Sequence, residues 1–241
     1  MRRILGRMLL RPLSEEARLI RAATAYPRHR PHEFRYRGRL IACTDFLSVA
    51  WQIAEIHGEE ALRFPEQGHA PLIIDCGANV GINVLYQAMR HPGARIIAIE
   101  PDPDVFRCLE LNVRRWLLQG VDHRRAAAWV HDRGVPFSPD GADGGTVAMA
   151  GGGMMVPSIR LRDELRRHAR IDLLKMDIEG AETDVLLDCA DELPRVDRLF
   201  VEYHSYARQP QRLHELLAVL ARAGLRIQAR RIGPPVRQPF M

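Results

Sequence analysis

Apolar runs and helical spacings alternate through the middle of the chain. Pro71 to Cys76 is a β-branched run that reads as a buried strand, and Val80 to Arg90 returns apolar residues at helical spacing. Arg95 to Glu100 repeats the strand signal, Pro103 to Leu118 the helix signal, and Arg124 to His131 a third strand. A βαβαβ succession of this kind demands a parallel sheet with right-handed crossovers. Further on, Ile171 to Asp177 is a core strand followed by a helix from Ala181 to Cys189. Leu199 to Tyr203 is the next strand, Gln209 to Ala223 an amphipathic helix stopped by Gly224, and Leu225 to Ile232 a last strand.

The first 69 residues have a different pattern. Ser14 precedes an acid-led helical segment through Ala23, and Phe34 to Ala42 alternates around Gly38 as a two-strand ribbon or an edge strand. Phe46, Leu47, Val49, Ala50, Ile53 and Ile56 recur at helical spacing behind a capping Thr44 or Asp45. Residues 132–158 are broken by Gly134, Pro136, Pro139, Gly141, Gly144, Gly145 and Gly151 to Gly153, which excludes a long regular element and predicts a hairpin insertion or lid. Ser158 to His168 supplies a short strand and helix before the next core strand. The organisation expected is an N-terminal extension with cap helices over 1–69 and one α/β domain over 70–241.

Composition narrows the class. With 241 residues, 46% hydrophobic and 27% charged, the chain suits a globular protein with a large core, and no apolar run is long enough to span a bilayer. Cys43, Cys76, Cys108 and Cys189 are scattered without C-x-x-C spacing, which argues against zinc and disulfide frameworks and for a cytoplasmic setting. The net charge of +5 comes from arginines spread along the whole chain, so nucleic acid is not the expected partner. Met1 to Arg11 begins with basic residues, but Arg7 and Arg11 interrupt its apolar run. It reads as an amphipathic helix packed on the body or on a partner subunit, the latter giving a homo-oligomer, with weak attachment to a membrane surface as the sharper alternative.

The loop after the first core strand carries the chemistry. Gly77 allows a sharp turn or close approach to a ligand, and Gly81 lets the next helix pack near the strand or the ligand. The spacing Gly77-x-x-x-Gly81 is not the G-x-G-x-x-G of a dinucleotide site, and Asn83-Val84 stands where a phosphate loop needs Lys and Ser or Thr. Glu100 ends the second strand, where a carboxylate accepts hydrogen bonds from ribose hydroxyls. Asp75, just before the glycines, suits an ammonium or amide group. A nucleoside carrying an amino acid, such as S-adenosylmethionine, offers both.

Three motifs in order, Ile74-Asp75-Cys76-Gly77-Ala78-Asn79-Val80-Gly81, Glu100-Pro101-Asp102 and Lys175-Met176-Asp177-Ile178-Glu179-Gly180-Ala181-Glu182, resemble the FkbM family of S-adenosylmethionine-dependent methyltransferases. The resemblance spans roughly residues 45–205 and implies a doubly wound, mostly parallel class I methyltransferase sheet, Rossmann-like, with helices on both faces. It also implies methyl transfer from S-adenosylmethionine, usually to a hydroxyl oxygen of a sugar, glycan or natural product. An N-methyltransferase of the same fold and a non-catalytic cofactor-binding scaffold stay open. Asp75, Gly77, Asn79, Gly81, Glu100, Pro101 and Asp102 are the cofactor-binding candidates, and a helix over 46–56 covers the pocket in the family.

Methyl transfer needs alignment and removal of a proton. Gly77, Glu100, Asp177 and Glu202 all fall at carboxyl ends of strands, the rim where open α/β sheets bind ligands. Lys175, Asp177 and Glu179 are spaced by two, so an extended segment points them one way; the plain alternative is a Lys-Asp ion pair with Glu179 and Glu182 at a helix start. The catalytic candidates are Asp177, between donor and acceptor, with Lys175, Glu202 and His204, the last as a general base titrating between about 5.5 and 8. Asp177, Glu202 and His204 are also an oxygen-rich set for Mg²⁺ or another divalent ion.

Overall fold

The computed structural model describes residues 14–65, 68–142, 144–147, 152–206 and 209–230. The expected helix over 1–11 and the end of the expected last strand, residues 231–232, lie outside these residues.

The sheet at the centre is built as the apolar runs require. β3 (Leu72–Cys76) is buried along its whole length and pairs in parallel with β4 (Arg95–Ile99) on one side and β11 (Leu173–Met176) on the other. β5 (Val121–Arg124) and β12 (Leu199–Val201) complete the parallel order β12-β11-β3-β4-β5. The strand order reverses between β3 and β11, the switch point at which such sheets bind ligands. Side chains alternate across the pleat. Leu72, Ile74 and Cys76 face a core shared with α5 (Leu161–Arg166), α6 (Glu182–Asp188) and α7 (Leu213–Arg222). Ile73, Ile96, Ala98 and Leu173 face α3 (Ile82–Arg90) and α4 (Pro103–Arg115), so helices cover both faces.

The N-terminal elements pack outside α3 and α4. α1 (Glu15–Thr24) is capped by Ser14, and β1 (His32–Tyr36) and β2 (Arg39–Cys43) form an antiparallel hairpin across Arg37 and Gly38, both at positive φ. α2 (Phe46–Ile53) starts at Asp45, whose Oδ1 accepts the Ser48 amide at 2.9 Å, and continues as one π-helical turn over Ala54–Gly58. Asn112 of α4 fastens the hairpin to the body. Its side chain accepts from Ala42 N at 2.8 Å and donates to Ala42 O and Val80 O, each at 2.9 Å.

Some expected elements differ. The strand expected over Arg124 to His131 divides: β5 stays in the central sheet, whereas β6 (Ala127–Trp129) pairs in parallel with β10 (Ser158–Arg160). The broken stretch folds as a small antiparallel sheet of β7 (Val135–Ser138), β8 (Thr146–Val147) and β9 (Met154–Val156). α4 ends three residues early, before Leu117 turns left-handed. Residues 225–230 carry no strand, so the strand expected from Leu225 to Ile232 is absent where it is described. Among the described residues no helix is long and apolar enough to cross a membrane.

Candidate functional site

A cleft of about 580 Å³ opens at the carboxyl ends of β3, β4, β11 and β12. Its floor is the loop after β3. Gly77 sits at φ 78°, and both its amide and that of Ala78 donate to Ile99 O at 3.0 Å, which folds the loop over the end of β4. A Cβ on Gly77 would lie 1.8 Å from the carbonyl oxygen of Asp177, so only glycine lets this loop and the end of β11 approach. Gly81 caps α3 in the left-handed region against Leu109 and does not line the cleft. Of the two roles expected for it, packing of the helix is the one this contact supports.

Glu100 stands beside this loop, lining the cleft with a largely buried carboxylate. Asp102 N donates to Oε1 and Asn79 N to Oε2, each at 2.9 Å. Burial outweighs these two amides and pushes its pKa up to about 7. Asn79, at φ 49°, spends its side chain on Ala142 O and Val80 N, tying the loop to the connection between β7 and β8. Pro101 and Asp102 also line the cleft, and Asp102 Oδ1 caps α4 through Asp104 N and Val105 N.

Asp75 lies beneath the cleft. It is fully buried, in register with Lys175, and accepts from Asn83 Nδ2 at 2.9 Å. Lys175 Nζ is 3.5 Å from Asp75 Oδ1 and 3.3 Å from Asp177 Oδ2, and donates to Gly77 O at 2.6 Å. Burial opposes the ammonium, but Asp177 and Asp75 hold its pKa above the ordinary lysine value. Asp75, expected to meet an ammonium or amide group of a ligand, faces the ammonium of Lys175 in this structure. The sequence put the acid on the correct strand but could not show which face of the sheet it occupies.

Across the switch point, the chain leaves β11 at Met176 and turns sharply, with Glu179 at φ 54° and Gly180 at φ 96°. Lys175, Asp177 and Glu179 are thus not on one extended segment, although all three line the cleft. Glu182, almost wholly buried in the first turn of α6, accepts from Ile178 N at 3.2 Å, Gly180 N at 3.1 Å and His204 Nδ1 at 3.0 Å. His204 Nε2 then lies 3.5 Å from Glu179 Oε2 and 3.9 Å from both Asp177 Oδ1 and Glu202 Oε1. Burial lowers the basicity of this imidazole, but Glu182, Glu179 and Asp177 raise it further, to about 9. These carboxylates favour the protonated ring, against the titration between 5.5 and 8 expected of a general base. Glu202 lines the cleft, its pKa pushed up to about 7 by burial and by Asp177.

The fourth wall was missed as a set of site residues. Ser48, Trp51, Gln52 and Glu55, from α2 and its π turn, line the cleft, and Trp51 is 57% exposed there. The signal was present as the non-core stripe between the apolar positions of residues 46–56. Phe137, Asp140, Ala142, Gly145 and Val147 of the broken stretch close the side next to Asn79.

The chain is 27% identical to the AMB antimetabolite synthetase AmbE of Pseudomonas aeruginosa over 72% of its own length and 10% of that protein. It is 28% identical to the 31-O-demethyl-FK506 methyltransferase FkbM of Streptomyces tacrolimicus, covering 66% of this chain and 74% of the relative. With the hexuronic acid methyltransferase AglP of Haloferax volcanii it shares 27% identity over 64% of this chain and 66% of the relative. The chain therefore spans from a tenth to about three quarters of the length of these relatives. The sequence profile of the methyltransferase FkbM domain matches residues 75–227, from the buried aspartate of β3 to beyond α7, and the chain belongs to that family.

Proposed function

We propose that this protein transfers a methyl group from S-adenosylmethionine to a hydroxyl oxygen of a sugar, glycan or natural product. The observation that carries the reading is the pairing, across one cleft, of Glu100 with the Gly77–Asn79 loop on one side and Asp177 with Glu202 on the other. The residues fit the cofactor. Glu100 has both oxygens held by backbone amides and still reaches the cleft, which suits a pair of ribose hydroxyls. The turn at Gly77 leaves a backbone cradle, and the acidic wall of Asp177, Glu179 and Glu202 suits a cationic sulfonium.

When bound, S-adenosylmethionine supplies an electrophilic methyl group. The chain's own residues do the rest. Lys175 positions the site, holding Gly77 O and Asp177 Oδ2 together so that the two walls keep a fixed separation. Asp177 orients the acceptor hydroxyl, and Glu202, facing the same space, takes its proton. His204 acts through Asp177 and Glu202, fixing their carboxylates. The names of two relatives, a 31-O-demethyl-FK506 methyltransferase and a hexuronic acid methyltransferase, support an oxygen acceptor on a natural product or a sugar acid.

Calorimetric titration with S-adenosylmethionine, followed by methyl-transfer assays over hydroxylated sugars and natural-product scaffolds, tests the reading. Glu202→Gln is expected to lower turnover roughly 10²-fold with cofactor affinity little changed, since a general base acts in the transition state. Wild-type protein that does not bind the cofactor, or that methylates amines in preference to hydroxyls, would overturn it.

A further inference from the structure

The carboxylates around the His204 imidazole make up more than an ion-pair cluster. Glu182 is a carboxylate that accepts two backbone amides, and it faces His204 Nδ1 at 3.0 Å, which fixes the proton of the neutral ring on Nδ1. Nε2 is thereby aimed at Asp177 Oδ1 and Glu179 Oε2, at 3.9 and 3.5 Å. Those separations exceed a good hydrogen bond. They match two donors sharing one ion: ligands about 2.1 Å from a metal stand roughly 3.0–4.2 Å apart, depending on the angle between them. One donor atom from each of Asp177, Glu179 and His204 lies within 4.8 Å of the others.

The surrounding groups orient these donors as outer partners orient metal ligands. Glu182 holds the far side of the imidazole. Tyr206 donates its hydroxyl to Glu179 Oε2 at 2.8 Å, and Lys175 takes Asp177 Oδ2, leaving Oδ1 as the oxygen turned to His204. The cleft, bordered by Asp177 and Glu179, supplies an entry path and room for oxygen ligands from outside the protein. One imidazole nitrogen with two carboxylates suits a first-row divalent ion that accepts both donor types.

We propose that Asp177, Glu179 and His204 form a binding site for a divalent cation of the Mn²⁺ kind in the wall of the cleft. Binding of the ion stands on these side chains alone; its bearing on the acceptor, whose hydroxyl oxygens it would face, rests on the proposed function. The cation would convert a cluster of like-charged carboxylates into a ligand set.

The test is a titration of the full chain, stripped with EDTA and then dialysed free of it, with Mn²⁺ alone, following the loss of the aquo-ion signal by electron paramagnetic resonance. One Mn²⁺ per chain is expected, with affinity at least tenfold lower in Glu179→Gln and in His204→Gln. Glu182→Gln, which removes an orienting partner rather than a ligand, is expected to weaken binding tenfold to a hundredfold. Where His204→Gln loses its cooperative thermal transition, Glu179→Gln carries the comparison. No uptake by the wild type at millimolar Mn²⁺, or equal affinity in an Asp177→Asn/Glu179→Gln double variant, overturns the site and leaves His204 as a charge-pairing imidazolium. S-adenosylmethionine titrated into the stripped protein separates the two readings: binding there without Mn²⁺ uptake sinks the metal site and spares the cofactor reading, and the reverse result does the opposite.

Discussion

At the scale of single residues, Glu100 is where burial and function pull against each other. The residue is 6% exposed, and burial pushes its pKa up to about 7 from an ordinary value of 4.5. Between those values the folded chain holds a proton that the unfolded chain has released. The stability this contributes is present at low pH and is lost as pH rises from about 4.5 to about 7. Cofactor affinity follows the opposite sign, because ribose hydroxyls donate better to the charged carboxylate. Affinity measured by calorimetry is therefore expected to rise from about pH 6 to about pH 8 in the wild type and to lose that rise in Glu100→Gln. Glu100→Ala is expected to weaken binding by about 1–3 kcal/mol, and Glu100→Gln by less. Unchanged affinity in both variants would remove Glu100 from the ribose.

Among the elements, the joint between the β1–β2 hairpin and α4 depends on one amide side chain. Asn112 is fully buried and makes three hydrogen bonds to backbone groups of Ala42 and Val80. Asn112→Ala leaves those groups without a partner, at a cost of roughly 2–4 kcal/mol. For a chain of this size that corresponds to a fall in Tm of roughly 5–15 °C by scanning calorimetry, and a change below about 2 °C would refute the joint. Nothing in the sequence marks Asn112, because its partners lie 70 and 32 positions away. The same limit explains the other differences. β3, β4 and β11 were legible because each is a continuous apolar run flanked by punctuation, a local signal. The division of the third strand into β5 and β6 follows from pairing with β10, about 30 residues later, which no local pattern records. In the site, Glu100, Asp177 and Glu202 were legible as strand-end acids, and Asp177 and Glu202 as neighbours of His204. The burial of Asp75 against Lys175 and the approach of Glu179 and Glu182 to His204 were not, since register and loop turns decide them.

For the whole molecule, packing crosses the expected boundary between residues 69 and 70. Phe34, Tyr36, Ile41, Phe46, Val49 and Ile53 share one buried cluster with Val80, Ile82, Leu85, Tyr86, Val105 and Trp116. Trp116 also donates its indole N–H to Leu40 O at 3.1 Å. Each buried side chain of this size contributes about 1.5–3 kcal/mol, so full exposure of the six on the α3 and α4 side would cost roughly 9–18 kcal/mol. Even half of that is comparable with the total stability of a natural domain, about 5–15 kcal/mol. The cleft has the same dependence, since Trp51, Gln52 and Glu55 form one of its walls. A fragment of residues 70–241 is therefore expected to be insoluble, or to lack a cooperative thermal transition and the near-ultraviolet dichroism of the full chain. If the fragment instead melts cooperatively within a few degrees of the full chain, the first 69 residues are a separable cap, and the cluster that joins them to α3 and α4 contributes far less than its burial implies.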